Sequence, residues 1–475
     1  MAVTKISEKF TDKKKKFNSY IHSPEVFDCD DFNIIKLFQY AIFREEGFNA
    51  KPYWKLPVFV ISIIFWIRRW LRKYNTHTPF NISNHSEKQI LIADSHRAVL
   101  DVKGQYRSRY FENVLHHLDR EKILFINSTQ IPSEIKHDFY LNNFYSFYSI
   151  LPLTEDDKRL LKHLKNTYKK IIRTLQLDKN KQIILEEVIQ IFWQEYRAYR
   201  EFLKRFPNLK IAFVFPHYQK EPLIYALKRK GVKVIELQHG LIAEEDMFYV
   251  YDKNILPVKD KALFADEMWV YGKYWKEVLL KGYEYNEQQI KIFGYYLFYE
   301  KNFSDEFEKF ANEIKSQFDK IIFATAQKNL EQHIAEYLNF LIKDAHSKKQ
   351  NIAIIVKPHP SAAMDIEKLL NNEFQNVFVK NDPLEWLFQI ADIHLSIYST
   401  TLFDALMFNI KNNFAIKHPL FVDYVDNIVK QGIARELNLN ENVLDKVYQQ
   451  DNTNHHYSDT KYFYDDVNWQ LLEEL

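Results

Sequence analysis

Short apolar runs alternate with longer amphipathic stretches, in two separate series, and this pattern limits the chain more than any other feature. The first series of runs falls at 89–93, 122–126, 211–215, 232–237, 268–270 and 290–293. Helix-period stretches lie near 156–176, 181–206 and 219–230 and from about Tyr274; Ile184, Val188, Ile191 and Phe192 show the spacing. The second series runs through 320–325, 352–356, 377–379 and 393–396, with 414–416 read as the last strand. Its helices cover about 329–347 and 383–390, and another opens at Tyr398–Thr401. A helix near 303–317 is expected to bridge the two series. Regular β-α alternation gives parallel sheets with helices on both faces. Two such series predict two doubly wound α/β domains, with ligands at the carboxyl ends of the strands.

The length of 475 residues suits two domains with additional helices. The expected division is a helical region over 1–85, α/β domains over 86–300 and 301–435 and a helical tail over 436–475. A formal net charge of +2 gives no whole-protein attraction to nucleic acid, and none is expected as a partner. The single cysteine, Cys29, excludes disulfide frameworks and cysteine-based zinc sites and fits a reducing compartment. The first residues lack an apolar signal core, so a cytoplasmic location is expected. The apolar run 58–67 is about half the length that spans a bilayer, and Arg68, Arg69, Trp70, Arg72 and Lys73 follow it. Such a segment lies on an anionic membrane surface or forms a buried helix with a solvated end; the sequence leaves both open.

Eight glycines occur, and neither G-x-G-x-x-G nor G-x-x-x-x-G-K-[ST] is present. Phosphate must then be held by helix N-termini, hydroxyls and cations rather than by a glycine-rich loop. Three polar clusters close predicted strands. Glu236-Leu237-Gln238-His239-Gly240 places an imidazole where backbone can approach a ligand closely, and histidine accepts protons near neutral pH. Lys357-Pro358-His359-Pro360-Ser361 fixes a cation and an imidazole on a proline-stiffened loop, suited to a phosphate leaving group. Tyr398-Ser399-Thr400-Thr401 presents hydroxyls at a strand-to-helix junction, where one would serve as a cap, and Asp404 follows within a turn. Asp94, Ser95, His96 and Arg97 close the first run, and His217 and Tyr218 close the third; each set suits either a ligand or a capped turn. Asp28, Asp30 and Asp31 come close to a D-x-D metal signature but sit in a helix-flanking polar stretch, so no required metal is expected.

The runs VKVIELQHGLI, FADEMWVYGKYW and IKIFGYY, followed by KPHPS and ADIHLSIYSTTLFDALMFN, resemble bacterial GT-B glycosyltransferases of capsule and lipopolysaccharide synthesis. The resemblance covers roughly 85–430. Similar HG, HP and S-[ST] elements occur in glycerophosphotransferases of teichoic acid synthesis, and HP with S-[ST] in bacterial sialyltransferases and Kdo transferases. The resemblance implies a GT-B fold of two facing Rossmann-like domains, an acceptor domain over 86–300 and a nucleotide-sugar donor domain over 301–435, with an extra N-terminal helical region. It implies that His239 is a catalytic base or leaving-group partner, and that His359, Ser399 and Thr400 contact the donor phosphate, with Lys357 and Thr401 beside them. Asp404 matches a position near the donor ribose that is often Glu in GT-B enzymes. Gln238, Gly240, Asp94, His96 and Arg97 would face the cleft or the acceptor. The acidic-acidic-Gly base motif of sialyltransferases has its match only at Glu45-Glu46-Gly47, away from a strand end.

The function expected from these features is transfer of a sugar from a nucleotide-sugar donor to a glycan or lipid-linked glycan acceptor, without a cofactor. Association with the inner face of the cytoplasmic membrane accompanies that reading. Its alternatives are transfer of glycerol phosphate from a CDP donor, a sugar-nucleotide epimerase of the same architecture, and a non-catalytic polysaccharide-assembly scaffold.

Overall fold

A computed structural model describes residues 37, 85–94, 98–127, 138–140, 153–244, 246, 248–251, 261–359, 362, 364–370, 376–418, 426, 428–448 and 459–475. Apart from residue 37, the helical region expected before residue 85 lies outside them, as do the run 58–67 with its basic flank, Cys29, the Asp28–Asp31 cluster, Glu45–Gly47, Ser95, His96, Arg97, Pro360 and Ser361. The chain divides into two compact units. One includes Ser108–Leu297 and Asp466–Leu475; the other includes Val99–Arg107 and Phe298–Asp465.

The first unit is built on strands β1 (Ile90–Asp94), β4 (Ile123–Asn127), β5 (Phe139–Tyr140), β6 (Ile211–Val214), β7 (Lys233–Leu237), β8 (Glu267–Val270) and β9 (Ile290–Ile292). A short two-stranded ribbon, β2 (Ala98–Leu100) and β3 (Tyr106–Ser108), intervenes in sequence. The seven strands are ordered β5-β4-β1-β6-β7-β8-β9, with every neighbour parallel. Strands covered on both faces read as continuous apolar runs, and ILFIN in β4 and IAFV in β6 are buried throughout. Outward growth from β1 in both directions creates a topological switch between β1 and β6, where doubly wound sheets open a crevice at their carboxyl edge.

Helices α1 (Glu112–His116), α2 (Glu155–Leu175), α3 (Lys179–Leu203), α4 (Glu221–Arg229) and α5 (Lys273–Leu279) belong to the same unit. A capping box starts α2: the Thr154 hydroxyl accepts from Asp157 N–H, and the Asp157 carboxylate accepts from Thr154 N–H. Gln176 ends the helix in the left-handed region (φ 48°), and Asp178 caps α3. Asp157 is fully buried and takes two hydrogen bonds from Arg200, at 2.6 and 3.1 Å, with Arg197 at 3.4 Å. Burial pushes its carboxyl up, but Arg200 and the Thr154 cap outweigh this and hold it below the ordinary value. The α2–α3 hairpin is thus locked by a buried ion cluster as well as by Leu164, Ile171, Leu185 and Phe192.

The second unit is built on β10 (Lys320–Thr325), β11 (Ile352–Lys357), β12 (Val377–Val379), β13 (Ile393–Ser396), β14 (Asn412–Ile416) and β15 (Arg435–Leu437). Its order β12-β11-β10-β13-β14-β15 repeats the doubly wound pattern, all parallel, with the switch between β10 and β13. The strand period of two divides its core. Ile322 and Ala324 pack on one face, against α7 (Glu331–Ser347). Ile321 and Phe323 pack on the other, against α6 (Asp305–Gln317) and α8 (Leu384–Ile390). Both units are Rossmann-like α/β folds.

Two sequence expectations need correction. Residues 414–416 do not form the last strand, because β15 pairs beyond them in the register Phe414↔Arg435 and Ile416↔Leu437. Its sequence, REL, has one apolar residue in three and carries no strand signal of its own; pairing with β14 and the Lys417–Glu436 ion pair at 3.1 Å hold it. The helix expected to bridge the series, α6, is instead part of the second core, through Phe307, Ala311 and Ile314.

The chain's final residues return to the first unit. Asn468 N–H donates to the Phe293 carbonyl at 2.8 Å, and Trp469 stacks on His117 with ring centres 3.8 Å apart. Gly294 permits this docking twice over. Its φ is +91°, and a Cβ there would lie 2.4 Å from the Asp466 carbonyl oxygen. Gly294→Ala is therefore expected to cost about 2–4 kcal/mol in urea unfolding. Hydrogen exchange at Asp466–Leu475 should accelerate in parallel; unchanged exchange there would show that the close approach does not hold the segment.

Candidate functional site

Polar side chains collect at the carboxyl edge of each sheet. In the first unit the central one is Glu236, fully buried inside β7. Its Oε1 accepts from the Tyr249 hydroxyl at 2.8 Å and from His217 N–H at 3.2 Å. Its Oε2 meets His217 Nδ1. The far nitrogen of His217, Nε2, faces the Phe248 carbonyl at 2.9 Å and must therefore carry a proton. One further proton is shared between His217 Nδ1 and Glu236, which lets both groups be buried.

This arrangement fixes His239. Because the Tyr249 proton goes to Glu236, its oxygen offers a lone pair to His239 Nδ1, 3.3 Å away. In the neutral ring Nδ1 is then the protonated nitrogen, and Nε2 holds the lone pair. Burial, then the charge of Glu236, raises the Tyr249 phenol well above its ordinary range, so it remains a donor. Around the half-buried imidazole stand Phe215, Tyr110 and Tyr218, with ring centres 5.9, 6.3 and 6.2 Å from its own. The Tyr218 hydroxyl reaches Nε2 at 3.5 Å, the outer limit of a hydrogen bond.

The expected neighbours of His239 hold its loop. The Gln238 amide donates to the Gly240 carbonyl at 2.9 Å and accepts from Tyr271 N–H at 2.8 Å. Tyr296 donates to the Gln238 carbonyl at 2.8 Å. Asp94 ends β1 and is fully buried, accepting from the Ser108 hydroxyl at 2.9 Å. Sequence reading passed over two charged residues here, of which Lys220 is within electrostatic reach of Asp94. Buried Lys220 interacts with Asp94 and with Glu195 of α3. Burial pushes the Glu195 carboxyl up to about 7, against the pull of Lys220.

At the carboxyl edge of the second sheet, Lys357 ends β11 and donates to the carbonyls of Asn381 and Asp382 at 3.0 and 2.5 Å. His359 follows two residues later and is half-buried. The hydroxyls that precede α9 (Thr401–Met407) differ in their commitments. Ser399 is buried and accepts from Thr401 N–H at 3.1 Å. Thr400 is exposed. Thr401 lies 2.8 Å from Thr325 at the end of β10. Asp404 accepts from the Tyr464 hydroxyl at 3.1 Å.

Beneath these residues runs a neutral chain of hydrogen bonds. Asn413 gives its amide protons to the carbonyls of Leu402 and Ile433, so its oxygen accepts from His394 Nδ1 at 2.8 Å. His394 Nε2 then accepts from Thr325 at 3.2 Å, and Thr325 accepts from Thr401. Among the described residues, no group of three or more His, Cys, Asp or Glu side chains is placed to hold a metal ion.

No protein-family model matches the chain, and no curated protein matches it in sequence. Solved structures similar to it include the UDP-GlcNAc 2-epimerase from Methanocaldococcus jannaschii, at 12% identity and a TM-score of 0.47, covering 81% of this chain and 99% of that one. A glycosyltransferase from Rickettsia africae is similar at 12% identity and a TM-score of 0.39, with coverage of 82% and 97%. Anabaena HepE in complex with UDP is similar at 10% identity and a TM-score of 0.41, with coverage of 82% and 99%. The ligands and activities of those proteins are their own.

The buried chain in the second unit has a pH consequence. Burial, partly opposed by the Asn413 hydrogen bond, lowers His394 from 6.5 to about 4. The folded imidazole binds a proton less readily than the unfolded one. Stability is thus complete above about pH 6.5 and declines as the pH falls toward 4, by about 3 kcal/mol from this group. His394→Gln should be less stable at neutral pH yet show a flatter acid limb in urea titrations. An unaltered limb would assign the acid sensitivity to other groups.

Proposed function

We propose that this chain is a glycosyltransferase that moves a sugar from a nucleotide-sugar donor onto a growing surface polysaccharide, of the capsule or lipopolysaccharide O-antigen type. The observation that carries the reading is the Glu236–Tyr249–His239 chain, which in the neutral imidazole leaves the lone pair on Nε2 at a strand's carboxyl end. A carboxylate that fixes a histidine tautomer through one intermediary makes the far nitrogen a general base. In the proposed step, an acceptor hydroxyl loses its proton to Nε2 as its oxygen bonds to the anomeric carbon. The bond from that carbon to the diphosphate breaks, and the nucleoside diphosphate leaves with the electron pair.

For the donor we assign His359, Lys357, Ser399 and Thr400 to the phosphates and Asp404 to the ribose, with Thr401 supporting them from below. Cations and hydroxyls take the electrostatic role that a metal ion fills elsewhere, so the reaction is proposed to be metal-independent. The acceptor is a glycan or lipid-linked glycan, and the proposed working place is the cytoplasm, at the inner face of the cytoplasmic membrane. No helix among the described residues is long and apolar enough to cross a membrane. Support for a peripheral contact comes from the run 58–67 and the basic residues after it.

Thermal unfolding with CMP, CDP, UDP, GDP and dTDP tests the donor side. One nucleotide at a hundredfold its dissociation constant should add about 2.7 kcal/mol, and His359→Ala should abolish the gain. Stabilisation by none of them would sink the reading. On the acceptor side, His239→Ala should lower kcat about 10²- to 10⁴-fold. Tyr249→Phe should lower it about tenfold and displace the pH–rate profile with little change in KM. Phosphorus in the product would instead indicate glycerol phosphate transfer, sugar interconversion without acceptor an epimerase, and full function in both histidine variants a scaffold.

A further inference from the structure

The outer face of α2 is unusual in its charge. After the acids of the first turn, Glu155, Asp156 and Asp157, the helix carries Lys158, Arg159, Lys162, Lys165, Lys169, Lys170 and Arg173 and no further acid. Lys158 pairs with Glu155 at 2.6 Å, and Arg159 pairs with Asp156. Among the described residues, Lys162, Lys165, Lys169, Lys170 and Arg173 form no ion pair. At 3.6 residues per turn they share about 140° of the helix surface, and Lys162 to Arg173 spans roughly 17 Å along the axis. Leu164 and Ile171 occupy the opposite side and are fully buried, so the orientation of the stripe is fixed. Asn166, Lys169, Lys170, Arg173 and Thr174 line a hollow of about 420 Å³.

Like charges held this close cost stability unless a polyanion answers them. We infer that this face of α2 docks an acidic polysaccharide chain, the uronate- or phosphate-bearing acceptor of the transferase reading, on which the inference rests. The Asn166 amide and the Thr174 hydroxyl beside the cations provide hydrogen-bonding groups for sugar hydroxyls. A bilayer fits less well, because Leu164 and Ile171, which would have to insert, face the core. Single-stranded nucleic acid fits less well too, because the stripe has no exposed aromatic ring on which a base would stack; Tyr168 is half-buried and donates to the Gln182 carbonyl at 3.3 Å.

The test uses the full chain, with fluorescent oligogalacturonate as probe and a neutral maltooligosaccharide of equal length as control. Oligogalacturonate should bind and lose about tenfold or more in affinity between about 50 and about 300 mM salt, while the neutral oligomer should not bind. The variant Lys162→Glu/Lys169→Glu/Arg173→Glu alters exposed positions only. It should weaken oligogalacturonate binding about tenfold or more, with unchanged melting temperature and unchanged stabilisation by nucleotide. Absent oligogalacturonate binding, or equal binding of the neutral oligomer, overturns the inference. So does tighter, variant-sensitive binding of phosphatidylglycerol vesicles or of oligo-dT, each of which would reassign the stripe. Nucleotide stabilisation separates the two levels. Its absence alongside intact oligogalacturonate binding would remove the transferase reading and leave a polyanion site, whereas the reverse would remove this inference alone.

Discussion

A carboxylate inside a parallel sheet has to be met by donors, and Glu236 is met by His217 and Tyr249 from outside its own strand. Much of the first unit's carboxyl edge depends on that requirement. The segment containing Phe248 and Tyr249 is drawn in because its phenol answers Glu236 and its Phe248 carbonyl answers His217. His239 inherits its tautomer from the same set. Stability and chemistry share the carboxylate: it is costly to bury alone, and once satisfied it leaves Nε2 of the nearby imidazole with its lone pair.

The second unit solves the corresponding problem without charge. His394 is as deeply buried as His217, but it faces Asn413 and Thr325 instead of a carboxylate, and burial depresses its proton affinity. The two sheets have the same strand order from their first strands outward and place their polar chains at the same edge. One chain ends at a half-buried imidazole and the other at the hydroxyls that open α9. In the second unit strand order explains the location, since β10 and β13 flank the switch point, where loops diverge and leave room for polar groups; in the first the chain lies one strand away, at β6 and β7. It does not explain the chemistry, which comes from the few residues at the strand ends.

The α2–α3 hairpin illustrates how charge is divided between structure and surface. Asp157 takes Arg197 and Arg200 inward, where each would be costly unpaired. With the helix's acids confined to its first turn, the lysines farther along α2 are left facing solvent. The inward cluster fixes the orientation of the hairpin, and the orientation decides which charges form the outer stripe.

Much of this was legible in the residue order. Apolar runs of four to six residues located β1, β4, β6, β10, β11 and β13 because strands buried on both faces need uninterrupted apolar side chains. The ends of β11 and β13 pointed to Lys357 and Ser399, and the end of the more mixed run at β7 to His239, since polar residues halt a run where the chain leaves the sheet. Other features depend on contacts distant in sequence, which local periodicity does not encode. The strand REL exists only by pairing with β14, the return of Asp466–Leu475 relies on a missing Cβ at Gly294, and Lys220 gains meaning from Asp94 and Glu195. Two parallel α/β series and the positions of their polar ends followed from residue order alone, because side-chain polarity and chain period are local properties. Contacts between distant segments were needed to say which nitrogen of His239 holds a lone pair and which lysines of α2 form no ion pair among the described residues, because those depend on partners that the fold brings together from far along the chain.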